Sequence, residues 1–351
     1  MDQIWWERVP NALSFAEGII DCLVDEKSIL IQHHDSLPWQ DTFKSTVVNR
    51  VKQQNASKTF VTISSEPNPG AYLLNECCKS EVRAQYRPSK SYASFLAETN
   101  DIVLHNRYFW VTIQNTEELE AWLDFVSEYI RVRNKKSEPA VFILDWKGKA
   151  VPAKKKGVTQ FSFDTAIGDY DRIVFAMLAS SEVQGNVFLK NYLAELVSNV
   201  VGNDIELYPH CIHRYREFLR SPYETVVNCA DSSWKSDSSP FLFQKTTEQV
   251  NDDIWLTQIK TIYPIVEAFR GQFVRKHTSA IEKLLPFTSS YGEEYNEPSD
   301  VELGTLVFMA DKGKLILNRA EYDRLRMFKG ARNTLSHLGR LSLDEIQALN
   351  T

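Results

Sequence analysis

The chain has 351 residues, 43% hydrophobic and 12% aromatic, with 40 basic against 46 acidic side chains and a net charge of −6. That is apolar material for two or three packed cores, and the acidic balance excludes a global positive field that would draw the chain to nucleic acid. Cys22, Cys77, Cys78, Cys211 and Cys229 form no paired Cys-x-x-Cys arrangement. They point to reduced thiols in a cytoplasm and away from a disulfide framework or a structural zinc site, and no secretion signal or membrane-spanning apolar run is expected.

Taken in chain order, Trp5 and Trp6 read as an aromatic anchor, followed by an amphipathic helix over 12–24 with Phe15, Ile19, Cys22 and Leu23 on one face. A β-branched strand is expected over 28–32, a polar loop over 33–38 and a helix over 39–52. Strands at 59–64, 107–113 and 140–146 and a helix at 116–131 continue the alternation, with a Pro/Gly loop at 66–70. Such alternation implies a mostly parallel sheet covered by helices. Residues 171–180 read as a buried strand or helix, 186–201 as a helix ended by Gly202, and 206–219 as another helix. The stretch 221–249, rich in Ser, Asp and Pro towards its middle, reads as a loop or linker. One long helix is expected over 254–285, an acidic loop over 289–300, a short helix around 301–307 and a last helix over 318–341.

His33, His34 and Asp35 carry metal-ligand chemistry, but adjacent residues at a strand-to-loop turn rarely converge on one ion, so a polar loop is expected. His210, Cys211 and His213 lack the second pair that structural zinc needs. The basic run over 146–157, with Lys147, Lys149, Lys154, Lys155 and Lys156, is a candidate phosphate contact or a solvated loop. No metal and no cofactor is expected.

The last helix carries Arg332-Asn333-Thr334-Leu335-Ser336-His337. On a helix Asn333 and His337 are four apart and share a face that Arg332 also reaches. Arginine forks onto phosphate oxygens and histidine titrates near neutrality, so the set suits metal-independent cleavage of RNA. With 18 arginines and 7 histidines in the chain, an Arg-x4-His pair is expected by chance about 0.4 times, and with the asparagine about 0.02 times. A looser spacing also matches Arg270 to His277.

The Arg-Asn-x-x-x-His pattern resembles the signature of HEPN domains, helical bundles of RNA-cleaving toxins and prokaryotic defence proteins. The resemblance covers roughly the last third of the chain. It implies catalytic roles for Arg332, Asn333 and His337, a composite site made by two copies, and hence a homodimer. The preceding α/β region resembles AAA+ and STAND-type P-loop NTPases, in which a strand like 140–145 ends in an acidic residue, here Asp145, placed to hold Mg²⁺ through water. The phosphate loop departs from that family. The segment 32–46 after Ile31 contains no glycine, and Lys44-Ser45 lies well inside the following helix behind Pro38 and Trp39, so no backbone cradle for phosphates is expected.

The fold class expected is therefore α/β plus all-α. A degenerate P-loop-NTPase-like parallel sheet with helices on both faces occupies 1–180, a helical extension and linker 181–245, and a HEPN-like helical bundle 246–351. The expected function is that of a metal-independent endoribonuclease of the toxin or anti-phage type. RNA and another protein of the same defence system are the implied partners, with no membrane. The competing class is a non-catalytic scaffold that docks a protein and dimerises through its bundle.

Overall fold

The computed structural model describes residues 1–99, 103–133, 138–150, 152–289 and 292–350. The chain divides into two compact units, Met1–Phe175 with Trp234–Ser239, and Ala176–Ser233 with Pro240–Thr351.

In the first unit, helices α1 (Asp2–Arg8) and α2 (Pro10–Val24) precede β1 (Ser28–His33), α3 (Gln40–Gln54), β2 (Thr59–Ser64), α4 (Pro69–Cys77) and α5 (Tyr92–Glu98). Then come β3 (Arg107–Ile113), α6 (Thr116–Val132), β4 (Val141–Lys147), β5 (Val158–Ser162) and α7 (Asp169–Ser180), within which the division into units falls. The five strands form one parallel sheet in the order β2-β3-β4-β1-β5. Successive side chains of a strand face opposite ways, so β3 feeds two cores. Phe109, Val111 and Ile113 pack with Leu119, Trp122 and Val126 of α6. Tyr108 and Trp110 face the other layer, where the Tyr108 hydroxyl donates to the Leu23 carbonyl and Trp110 meets Phe43 of α3 edge-on. Both faces of the sheet are thereby covered, which is why β1 and β4 read as continuous apolar runs.

The aromatic anchor takes its place in α1. Trp5 packs edge-on against Phe175 at 5.5 Å. Trp6 lies 4.6 Å from Phe43 and donates its indole N–H to the Pro38 carbonyl at 2.9 Å.

The second unit is helical: α8 (Val187–Val201), α9 (Tyr208–His213), α10 (Tyr215–Arg220), α11 (Pro222–Ser232), α12 (Thr247–Thr261) and α13 (Tyr263–Glu282) lead to a two-stranded hairpin. That hairpin, β6 (Phe287–Thr288) and β7 (Glu294–Tyr295), is followed by α14 (Leu303–Asp311), α15 (Arg319–Ser336) and α16 (Leu343–Leu349). The α/β sheet followed by helices agrees with the expected class. The segment read as a separate extension and linker, 181–245, belongs to this second unit apart from Trp234–Ser239.

Several expected elements differ for identifiable reasons. The long helix expected over 254–285 is two helices, because Pro264 has no N–H to continue the ladder and instead opens α13. The helix expected over 206–219 breaks at Arg214, whose backbone leaves the helical region. The linker expected from 221 onward begins as α11, with Pro222 in its first turn and Thr225, Val226, Cys229 and Ala230 buried along one face. The Pro/Gly loop at 66–70 is a helix start, with the Asn68 side chain capping the Ala71 N–H at 3.0 Å. Strand β5 carried no periodic signal, being half-buried along its whole length at the sheet edge.

Replacing Trp6 with alanine removes a fully buried indole and its hydrogen bond. The expected loss is about 3–5 kcal/mol, read as a shifted denaturant midpoint with little change in slope; a shift under about 1 kcal/mol would show that α1 is not part of the folded core.

Candidate functional site

In a doubly wound sheet the ligand crevice lies outside the carboxyl ends of the strands where chain direction switches. Here β1 and β4 are neighbours and end in His33 and in the stretch Asp145–Lys147. Asp145 is 2% exposed and its two carboxylate oxygens are fully engaged. His33 Nε2 lies 2.8 Å from Oδ1, while the indole N–H of Trp110 at 2.9 Å and the amide of Gln40 at 3.1 Å donate to Oδ2. Lys44, from the second turn of α3, brings its ammonium to 3.4 Å from the same oxygen. The other nitrogen of His33 faces the Asp35 carbonyl at 2.7 Å. Both ring nitrogens thus face oxygens, which fixes the ring between β1, β4 and the loop that follows β1. Burial alone would push the Asp145 carboxyl up, but the His33 hydrogen bond, the charges of His33 and Lys44 and the Trp110 indole outweigh it and hold the carboxyl below its ordinary 3.8.

The crevice is filled by the protein's own charges, with Asp145 committed to internal donors and not left open toward a cation. The segment that follows β1 places Trp39, at a left-handed φ of 46°, where a glycine-rich loop would turn. His34 is held at Asp164, its backbone N–H donating to that carboxylate at 2.9 Å and its Nδ1 3.8 Å from it. Among the described residues no group of three or more His, Cys, Asp or Glu is arranged to hold a metal ion. Of the basic run, Lys147 donates to Ser36 and Lys155 pairs with Asp124, Lys149, Lys154 and Lys156 are exposed, and Val151 lies outside the described residues.

The second site is built at the end of α15. A capping box between Asn318 and Glu321 starts this helix, and Leu325, Phe328, Ala331 and Leu335 form its buried stripe. Its end is fixed as closely. His337 is the C-cap, Leu338 takes a left-handed φ of 60°, and the Gly339 N–H reaches back to the Thr334 carbonyl at 2.8 Å. This is the six-to-one bond of a Schellman turn. A β-carbon at Gly339 would lie 2.8 Å from that carbonyl oxygen, so glycine is required there. The indole of Trp255 donates to the Leu335 carbonyl at 2.8 Å and ties the turn to α12. His337 is thereby held one helical turn beyond Asn333, with its N–H on the Asn333 carbonyl.

Arg332, Asn333 and His337 line one cavity of about 640 Å³ together with Lys329, one turn earlier on the same face. Its other walls come from α14 and the β6–β7 hairpin, including Glu302, Phe308, Asp311, Glu293 and Tyr295. Arg332 is half-exposed and pairs with Glu302 across 3.4 Å, while His337 is exposed. Tyr295 donates to Glu293 at 2.7 Å; burial pushes its phenol up, and Glu293 and Glu302 add to that. Sequence reading passed over Lys329, although its place three residues before Arg332 on a helix is a signal that could have found it. Glu302 and Tyr295 were not legible, since only the fold brings them to the motif. The looser pair is separate: Arg270 donates to Glu267 and to the Ser299 carbonyl, and His277 sits at a kink against Phe273.

Among known proteins, no family model and no curated sequence matches this chain. Solved structures with some likeness include the E. coli MS115-1 HORMA:CdnC:Trip13 complex, at 10% identity over 67% of this chain and 90% of that one, with a TM-score of 0.31. They also include Drosophila ORC bound to poly(dA/dT) DNA and Cdc6, at 12% identity over 95% and 61% of the two chains, with a TM-score of 0.30. A Drosophila ORC–DNA structure matches at 11% identity over 99% and 74%, with a TM-score of 0.29. The functional reading of this chain therefore rests on its own residues.

Three outcomes test the filled crevice. His33→Ala leaves Asp145 buried without its closest partner and is expected to cost about 3–5 kcal/mol at neutral pH. Because the folded carboxyl titrates below its ordinary value, its contribution is complete above about pH 4 and lost as pH falls through the folded value. Asp145→Asn should therefore be less stable at pH 7 yet lose less on acidification; equal acid sensitivity in both proteins would refute the assignment. Mg²⁺-dependent ATP or GTP turnover should be absent, and turnover abolished by Asp145→Ala would overturn that expectation.

Proposed function

We propose that the second unit is a HEPN-type ribonuclease module that cleaves RNA without a metal, carried beside a degenerate P-loop-like α/β unit. The observation that carries this reading is the convergence of Arg332, Asn333, His337 and Lys329 on one cavity. His337 is exposed and free to meet a ribose, with a side chain suited to proton transfer near neutral pH. It takes the proton of the 2′-OH or delivers one to the departing 5′-oxygen. The 2′-oxygen forms its bond to phosphorus as the 5′-oxygen bond breaks, leaving a 2′,3′-cyclic phosphate and a 5′-hydroxyl. Arg332 stabilises the added charge on the phosphoryl oxygens and Asn333 orients them. One imidazole serves one of the two proton transfers at a time, so a second copy of the chain, pairing by a two-fold contact, supplies the other.

A second reading, a non-catalytic docking module of a defence system, draws on one feature. The cavity carries Glu293, Glu302 and Asp311 against Lys329 and Arg332, an acidic balance for a phosphate site.

The test is incubation of the purified protein with labelled structured RNA in EDTA. Cyclic-phosphate ends are expected, with His337→Ala and Arg332→Ala each lowering the rate by about 10² to 10⁴. Asn333→Ala should fall between. These half-exposed and exposed side chains should change stability by no more than about 0.5 kcal/mol, and Arg319→Ala, at the far end of α15, should cleave like the parent. An inactive parent whose motif variants melt several degrees lower would hand the site to the docking reading. Light scattering is expected to show a dimer; a monomer at working concentration would remove the shared site.

A further inference from the structure

We propose that Glu302 is the resident counterion of the motif cavity, a carboxylate that sits where a phosphodiester oxygen is to bind Arg332 and that the substrate must displace. This rests on the ribonuclease reading and concerns how that same site is held in check.

Three carboxylates line the cavity, and their partners separate them. Glu293 accepts from the Tyr295 hydroxyl and Asp311 from the Tyr322 hydroxyl, neutral donors that leave the charge in place but fix its position. Glu302 instead faces the guanidinium of Arg332, Oε2 to Nη2, at 3.4 Å. A carboxylate and a phosphodiester oxygen present the same kind of acceptor to a guanidinium. With Arg332 34% and Glu302 48% exposed, the pair is weak and exchangeable. Although Glu302 is the N-cap residue of α14, its side chain makes no capping hydrogen bond. Its backbone position brings its charge to the helix start, where it is mildly favourable, and its side chain is left to reach across to α15.

The size of the effect follows from the exposure. Freeing Arg332 from a half-exposed pair is expected to tighten anion binding by about two- to fivefold. The probe is a short single-stranded oligomer with 2′-O-methyl riboses, which lacks the attacking hydroxyl and so reports binding alone. The full chain is compared as parent, Glu302→Gln, Arg332→Ala and the double variant. Glu302→Gln should bind about two to five times more tightly than the parent, and the gain should vanish when Arg332 is absent. Should Glu302→Gln melt several degrees low, Glu302→Asp, which withdraws the same charge by one methylene, gives the same comparison with a smaller gain. An unchanged affinity, or an equal gain with and without Arg332, overturns the inference, the latter being a general charge effect. Tightening that depends on Arg332 in a protein that never cleaves unmodified RNA supports the counterion and overturns the ribonuclease. No binding by any variant overturns both.

Discussion

One buried negative charge organises the first unit. The Asp145 carboxylate sits in an apolar layer, and each partner that makes its burial tolerable also fixes a piece of chain: His33 the end of β1, Gln40 and Lys44 the first two turns of α3, Trp110 the middle of β3. Removing any of them exposes the desolvation cost that the others were offsetting. His33 passes the constraint on, since its second nitrogen holds the Asp35 carbonyl and so the start of the loop. Trp6 holds the other end of that loop through Pro38. The crevice where such sheets receive ligands is therefore closed by side chains that the fold itself needs.

The second unit works under a backbone constraint. The turn after α15 places a leucine, not a glycine, in the left-handed region, a conformation that costs roughly 1–2 kcal/mol for a residue with a β-carbon. That strain is tolerated because Gly339 closes the six-to-one bond and Trp255 anchors the last turn. The consequence is a His337 held one turn from Asn333 while its ring stays in solvent.

Much of the architecture was legible because it depends on local periodicity. Strands β2 and β3 and helices α3 and α6 lie within a few residues of where alternation and helical spacing put them. Apolar runs such as β1 and β4 are short and rich in β-branched and aromatic residues, which favours a buried strand over a buried helix. What escaped was set by tertiary context or by one residue whose effect was underweighted. Pro264 opens a second helix where the apolar pattern on both sides reads as one. Strand β5 has a mixed face because it is an edge, and an edge strand is recognisable only once β1 is known to need a second neighbour. At the sites, the residue types in the motif pointed to phosphate chemistry without any structure, while Lys329, one helical turn before Arg332, was passed over. Glu302 stands 30 residues before Arg332 and announces nothing in the sequence. Asp145 was legible as the acidic residue after an apolar run, although β4 continues to Lys147, but its partners His33, Gln40 and Trp110 were not, since three separate elements deliver them.

The two sites handle charge in opposite ways, and the difference decides where exchange with a ligand is feasible. At Asp145 the carboxylate and His33 are 2% and 3% exposed, and separating them would strand a charge in a low-dielectric core at a cost of about 3–5 kcal/mol. At Arg332 the pair is open to water, and separating it costs no more than about 1 kcal/mol. A phosphate arriving at the first site would have to unfold part of the sheet's rim, whereas at the second it would replace one weakly held carboxylate. Of these two sites, exchange with a ligand is therefore the easier at the end of α15.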